Sequence, residues 1–117
     1  MSTNIPNGVT TIGYWAFTGC TGLKKVIVSD IAAWCRIKFS DYYDNNPLYY
    51  AHHLYSDEKN EITDLVIPKE VTTIGECAFI CCTGLTSVNI PNSVTSIGEY
   101  NQEIKGVTNV EIIPVST

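Results

Sequence analysis

Positive charge is scarce in this sequence. Seven Lys and Arg stand against 12 Asp and Glu, which leaves a net charge of -5. The densest basic point is Lys24-Lys25. Nucleic acid needs a basic cluster to neutralise its phosphates, so it is excluded as a partner, and anionic membrane surfaces are disfavoured for the same reason. Long apolar runs are missing too. Nothing approaches the ~18 consecutive apolar residues of a spanning helix, so membrane insertion is not expected. The chain opens Met1-Ser2-Thr3-Asn4, with neither the basic nor the apolar region of a signal peptide. That reads as an intracellular protein or as a piece of a secreted one.

Catalytic phrases are absent as well. Histidine occurs twice, as His52-His53, and adjacent side chains point in different directions, which makes a poor chelate. No glycine-rich phosphate loop and no G-x-S-x-G phrase occurs. Asp41, Asp44 and Asp57 are scattered through loop-like sequence and read as solvated carboxylates. The expectation is a non-enzymatic chain with no catalytic residues, no cofactor and no metal. The five cysteines do not change it. Cys20 and Cys82 share one position of the repeat described below, where a small apolar side chain packs well. They fall two repeats apart, about 10 Å at strand spacing, beyond the ~7 Å reach of a disulfide. Reduced structural thiols are expected.

What the sequence does contain is a repeated phrase. Ile67 to Ile90 reads IPKEVTTIGECAFICCTGLTSVNI, and Ile5 to Val28 reads IPNGVTTIGYWAFTGCTGLKKVIV, with 14 of 24 aligned positions identical. A third copy starts at Ile90 as IPNSVTSIGEY and then decays. Ile5 to Val28, Ile67 to Ile90 and Ile90 to Ile113 each span 23 residues, while Val28 to Ile67 spans 39, or 23 plus 16. A fixed period points to stacked units, each unable to bury its apolar face alone. About four coils follow, at 5–28, 28–67, 67–90 and 90–113, with an insertion at about 29–61, all in one domain over 1–117 that buries roughly two-thirds of its unfolded surface.

Each unit carries its own folding signals. Leu85, Val88 and Ile90 match Leu23, Val26 and Val28, and also Ile62, Leu65 and Ile67. The alternating end of that pattern is a half-buried strand, closed by proline at Pro6 and Pro68, which cannot donate to a ladder. Val71 and Ile74 turn inward again, and Gly75 is expected to permit a sharp turn. Ala78 and Phe79, like Phe17, fall at core positions.

The phrase Ile-Pro-x-x-Val-Thr-x-Ile-Gly-x-x-Ala-Phe-x-x-Cys-x-x-Leu-x-x-Val-x-Ile resembles the BspA-like leucine-rich repeat family. The match is complete at 67–90 and at 5–28 with Val28 in the last place, and half present at 90–113. Trp34-Cys35, Asn46-Pro47-Leu48 and His53-Leu54-Tyr55 are similar to a variant repeat of such proteins. The resemblance implies an α/β-type repeat solenoid, a right-handed coil stack with a small parallel sheet and short helical turns. It implies bacterial surface proteins that recognise protein partners, host or matrix proteins among them, and no catalysis. It also implies a cell-surface or secreted setting.

Parallel strands are therefore expected near 24–28, 63–67 and 86–90, with a weaker one near 108–113. Lys25, Asp64 and Ser87 should line up on the exposed face of one sheet, as should Ile27, Val66 and Asn89. In the insertion, Ile31, Trp34, Cys35 and Lys38 lie at helical spacing behind Asp30, a residue suited to capping. Asp44-Asn45-Asn46-Pro47 is a loop. Leu48 to Leu54 reads as a turn of helix or an extended arm. Tyr42, Tyr43, Tyr49, Tyr50 and Tyr55 crowd this stretch. They either roof the core or form a recognition surface, since tyrosine gives large rigid contacts at low entropy cost. These tyrosines and the six strand residues are the candidate binding surface. At the ends, Asn101, Gln102 and Lys105 replace the Ala, Phe and Cys of the phrase, as a polar cap would. Ile5, Val9 and Ile12 look uncovered at the front, which predicts a homodimer through the N-terminal coil.

Overall fold

A computed structural model describes residues 1–13, 16–17, 19–39 and 45–101 and the strand at 110–113. Its elements in chain order are β1 (Ser2–Ile5), β2 (Thr11–Ile12), β3 (Lys25–Val28), α1 (Ile31–Cys35), β4 (Lys38–Phe39), α2 (Leu48–Ala51), β5 (Leu54–Tyr55), β6 (Asp64–Val66), β7 (Thr73–Ile74), β8 (Ser87–Pro91), β9 (Ser96–Ile97) and β10 (Val110–Ile113). The strands make four small sheets: β1-β3-β5, β10-β8-β6, β2-β4 and β7-β9. Every pair in them is parallel.

The 23-residue period reappears as register. Ser2 lies beside Lys25, Asp64 beside Ser87 and Thr73 beside Ser96, each offset by 23. Alternation does the rest. Val26, Leu54, Leu65 and Val88 are all buried at 1% exposure or less, while the residues between them point outward. The core runs through both sets of sheets and includes Ile12, Trp34, Leu48, Ile74, Ala78 and Phe79.

Several expectations change here. β3 does not share a sheet with β6 and β8, so Lys25 and Ile27 do not line up with Asp64, Val66, Ser87 and Asn89. The chain turns back after β5. Glu61 bridges Tyr55 in antiparallel fashion, and the Ile62 amide donates to Leu54 O at 2.7 Å. The returning chain thus occupies the edge of β5. Ile27 is buried at 5% exposure instead of lying open. At the C-terminal strand, Ile112 rather than Ile113 sits beside Ile90, so the last offset is 22. β2, β4, β7 and β9 form a second row of strand pairs, Thr11–Ile12 with Lys38–Phe39 and Thr73–Ile74 with Ser96–Ile97, each too short for alternation to reveal. β4 pairs with β2, so the repeat pattern continues into the start of the stretch read as an insertion. Lys38 lies in β4, because α1 already ends at Cys35.

The front also differs. Ser2–Ile5 forms β1, an added strand ahead of the first full phrase. Ile5 and Ile12 are 8% and 6% exposed and Val9 packs against the core, so the apolar front expected to drive dimerisation is already covered. Phe17 and Cys20 are only partly buried, in contrast to Phe79 and Cys82.

Local signals hold where their chemistry is strong. The Asp30 carboxylate accepts from the Ala33 amide at 3.2 Å and caps α1. Gly75 serves a close approach: a Cβ there would sit 3.0 Å from Cys35 O and 3.2 Å from Ile37 O. Around Phe79, buried polar groups are matched in pairs. Asn101 Oδ1 accepts from the Phe79 amide at 2.8 Å, while its Nδ2 donates to Gly75 O and Gly98 O. From the opposite side, Trp34 Nε1 donates to Ala78 O at 2.7 Å and Asn46 Nδ2 to Cys77 O at 2.6 Å. Asn101, at the Ala78 position of the next repeat, is therefore a satisfied buried amide. Gln102 and Lys105 lie outside the described residues.

Candidate interaction surface

The residues picked out as a binding surface fall into three groups. Tyr42 and Tyr43 lie outside the described residues. The second group lies on or beside the β1-β3-β5 sheet and is largely occupied. In a parallel pair, registered neighbours share a face, so Ser2, Asn4, Lys25, Ile27 and Tyr55 point the same way. The loop between β5 and β6 folds over that face. Ser2 Oγ donates to Glu58 Oε1 at 3.1 Å, and Lys25 Nζ donates to Glu58 O at 2.6 Å. The same ammonium sits 4.9 Å from the Tyr55 ring centroid, within cation–π range. Ile27, on the same face, is 5% exposed.

The loop is itself held in shape. Asp57 Oδ1 accepts from the Lys59 and Asn60 amides at 2.8 and 2.9 Å, and the Asn60 side chain donates to the same carboxylate. The Lys59 amide and then the Asn60 side chain keep the Asp57 carboxyl below its usual range. At the loop's far end, His53 Nδ1 lies 2.6 Å from Glu61 Oε2, packed on Gly84, where a Cβ would collide with both side chains. The two histidines therefore have separate jobs, since His52 Nδ1 faces Cys81 O at 3.1 Å.

Tyr49 and Tyr50 sit on α2, half-buried against the core. Their rings meet edge to face at 5.1 Å, and the Tyr50 hydroxyl accepts from the Gly19 amide at 3.2 Å. Both tyrosines help to roof the molecule.

The third group is open. Asp64 and Val66 of β6 and Ser87 and Asn89 of β8 share the outer face of the β10-β8-β6 sheet, with Asp64 beside Ser87 and Val66 beside Asn89. Ser87 Oγ donates to Asp64 Oδ1 at 2.6 Å and Thr86 Oγ1 to the same oxygen at 3.3 Å. Val66 is 57% exposed, and an exposed β-branched residue on an ordered strand is a ready apolar contact. No loop among the described residues crosses this face as residues 56–60 cross the other. The asymmetry could not be read from the repeat, because Lys25-x-Ile27, Asp64-x-Val66 and Ser87-x-Asn89 are equivalent in sequence.

The arrangement has nothing with which to hold a metal among the described residues, where no group of three or more His, Cys, Asp or Glu converges. Burial pushes the Cys35 thiol up to about 12, with Arg36 pulling it back slightly and Asp30 adding to the rise. The Cys77 thiol goes to about 11, through burial first and then the Glu76 and Glu99 carboxylates. Both are poor nucleophiles at neutral pH. No helix among the described residues is long and apolar enough to cross a membrane.

Compared with known proteins, residues 1–40 and 52–114 match the family model described as BspA type Leucine rich repeat region (6 copies). The unmatched segment, 41–51, contains α2 and most of the tyrosine cluster. No curated protein and no solved structure matches the chain.

Proposed function

The chain belongs to the BspA-type leucine-rich repeat family, and from that premise we propose that it is a non-enzymatic protein–protein interaction module, serving adhesion or partner recognition in a bacterial surface-type repeat protein. Leucine-rich repeats commonly mediate protein–protein contacts, and this family is typically non-enzymatic. The reading takes the strand pairs as rungs of one coil stack in a single domain. The 23-residue register shared by β1 with β3, β6 with β8 and β7 with β9 supports it. The partner would be a protein, a host or matrix protein in the adhesive case.

One observation carries the choice of surface: Val66 is 57% exposed on the outer sheet face that stays open. Asp64, Ser87 and Asn89 surround it with hydrogen-bonding groups, giving an apolar centre with a polar rim, as protein interfaces have. Surface plasmon resonance over immobilised fibronectin, laminin and collagen tests this. Saturable binding that Val66→Lys and Asn89→Lys abolish supports the reading. Binding that both variants retain would move the site elsewhere.

The alternative is a spacer that separates other domains and has no ligand of its own; it predicts no saturable binding to any such surface. Association of two copies through the first repeat would have to use the outer edge of β1, since Ile5 and Ile12 are buried. Light scattering at micromolar concentration, with and without an Asn4→Pro change on the outer edge of β1, checks that contact.

A further inference from the structure

The second row of strands is interrupted at its middle. β4 pairs with β2 and β7 with β9, but no ladder joins β4 to β7. They are linked by the Gly75 amide, which donates to Cys35 O at 3.0 Å, and next to that link lies an open groove of about 640 Å³. Lys38, Phe39 and Thr73 from the two strands line it, with Arg36, Gly75 and Glu76.

Charge marks this groove. The chain carries a net charge of -5, and its one arginine, Arg36, lies here with Lys38. Both residues are exposed. Neither side chain makes a hydrogen bond or an ion pair among the described residues, where the ion pair formed is His53–Glu61. Glu76 lines the same groove without pairing with either cation, so among the described residues two positive groups face one negative group. The other cation that the structure engages, Lys25, is held by Glu58 and Tyr55. Arg36 and Lys38 are thus two cations side by side in an acidic protein, next to a strand whose other side pairs with no strand among the described residues.

We propose that this groove receives an extended acidic segment of a partner protein. The segment adds as a strand along the free side of β4, and its carboxylates meet Arg36 and Lys38. Unpaired strand edges are templates for a further strand, and guanidinium is the cation best shaped for a carboxylate. This contact is separate from the one around Val66 and stands or falls without it.

Fluorescence anisotropy with a short dye-labelled peptide alternating valine and glutamate is the test. The parent chain binds it saturably at low salt and more weakly as salt screens the charges. Arg36→Gln and Lys38→Gln each weaken binding roughly fivefold, with circular dichroism unchanged because both side chains are exposed. Lys69→Gln, the same charge loss at an exposed site elsewhere, leaves binding intact. A peptide with glutamine for glutamate binds at background, and so does one with a central proline, which cannot pair along a strand. Three results overturn the proposal: equal binding of the glutamine peptide, equal binding of the proline peptide, or the same loss from Lys69→Gln as from Arg36→Gln.

Discussion

Phe79 and Phe17 occupy one position of the repeat yet should respond differently to truncation. Phe79 is 0% exposed, with Asn101 and Trp34 fixing the backbone on its two sides. Removing its ring loses the transfer energy of the side chain and leaves a cavity that neighbouring repeats cannot close, a cost of roughly 3–5 kcal/mol. Phe17 is only partly buried, in the first repeat. Solvent can fill part of the space it leaves, so Phe17→Ala should cost about half as much. A domain of this size has only ~5–15 kcal/mol to lose. At roughly 3–6 °C per kcal/mol, Phe79→Ala should lower Tm by on the order of 10–20 °C. Differential scanning calorimetry or a circular-dichroism melt reads both variants. A Phe79→Ala melt within a degree or two of the parent, or equal losses for the two variants, would refute the register from which the core is built.

Asn101→Leu removes the acceptor of the Phe79 amide and the donor to Gly75 O and Gly98 O. Leaving buried backbone unpaired should cost about 1–3 kcal/mol in a urea titration, and a neutral result would mean water replaces the amide. Cys81→Gly should stabilise by about 0.5–1 kcal/mol, because Cys81 has φ 54 where the first repeat places Gly19 at φ 81; a destabilised variant would show that the thiol's packing outweighs the strain. Alkaline stability depends on Cys35, whose thiol rises from 9.0 to about 12 on folding. Above pH 9 the unfolded chain loses this proton while the folded chain keeps it, so stability falls as pH rises towards 12, by at most ~1.4 kcal/mol per pH unit. Urea midpoints of the parent should therefore fall faster between pH 9 and 10.5 than those of Cys35→Ala, and parallel curves would contradict the burial.

The repeat phrase carried the strand positions well, because alternation within each strand is a strong local signal, although β8 continues through Pro91, which was expected to lie past its end. Lys25–Val28, Asp64–Val66 and Ser87–Pro91 lie where that pattern puts them, and Asp30 caps its helix as its chemistry requires. The surface was less legible. Ile27 and Val66 are equivalent in the phrase, yet one is 5% and the other 57% exposed, and they lie in different sheets, one of which also carries a loop held by Glu58, a contact more than 30 residues away from Lys25 along the chain. Strand β1 has no apolar alternation of its own and forms because β3 offers an edge. The groove beside Arg36 arises where the chain between Val28 and Ile67 departs from the 23-residue period, so nothing in the repeat could announce it. Asn101, read as a polar replacement, is the acceptor on which the preceding repeat closes.

The claim that a protein partner docks on the open face of β6 and β8 is tested most directly by an NMR titration of the ¹⁵N-labelled chain with the matrix protein that binds it best. The account predicts amide shifts centred on Asp64–Val66 and Ser87–Asn89, with Ile27 and the loop at 56–60 unmoved. Shifts centred on that loop and on Tyr49 and Tyr50, with Val66 silent, would contradict it.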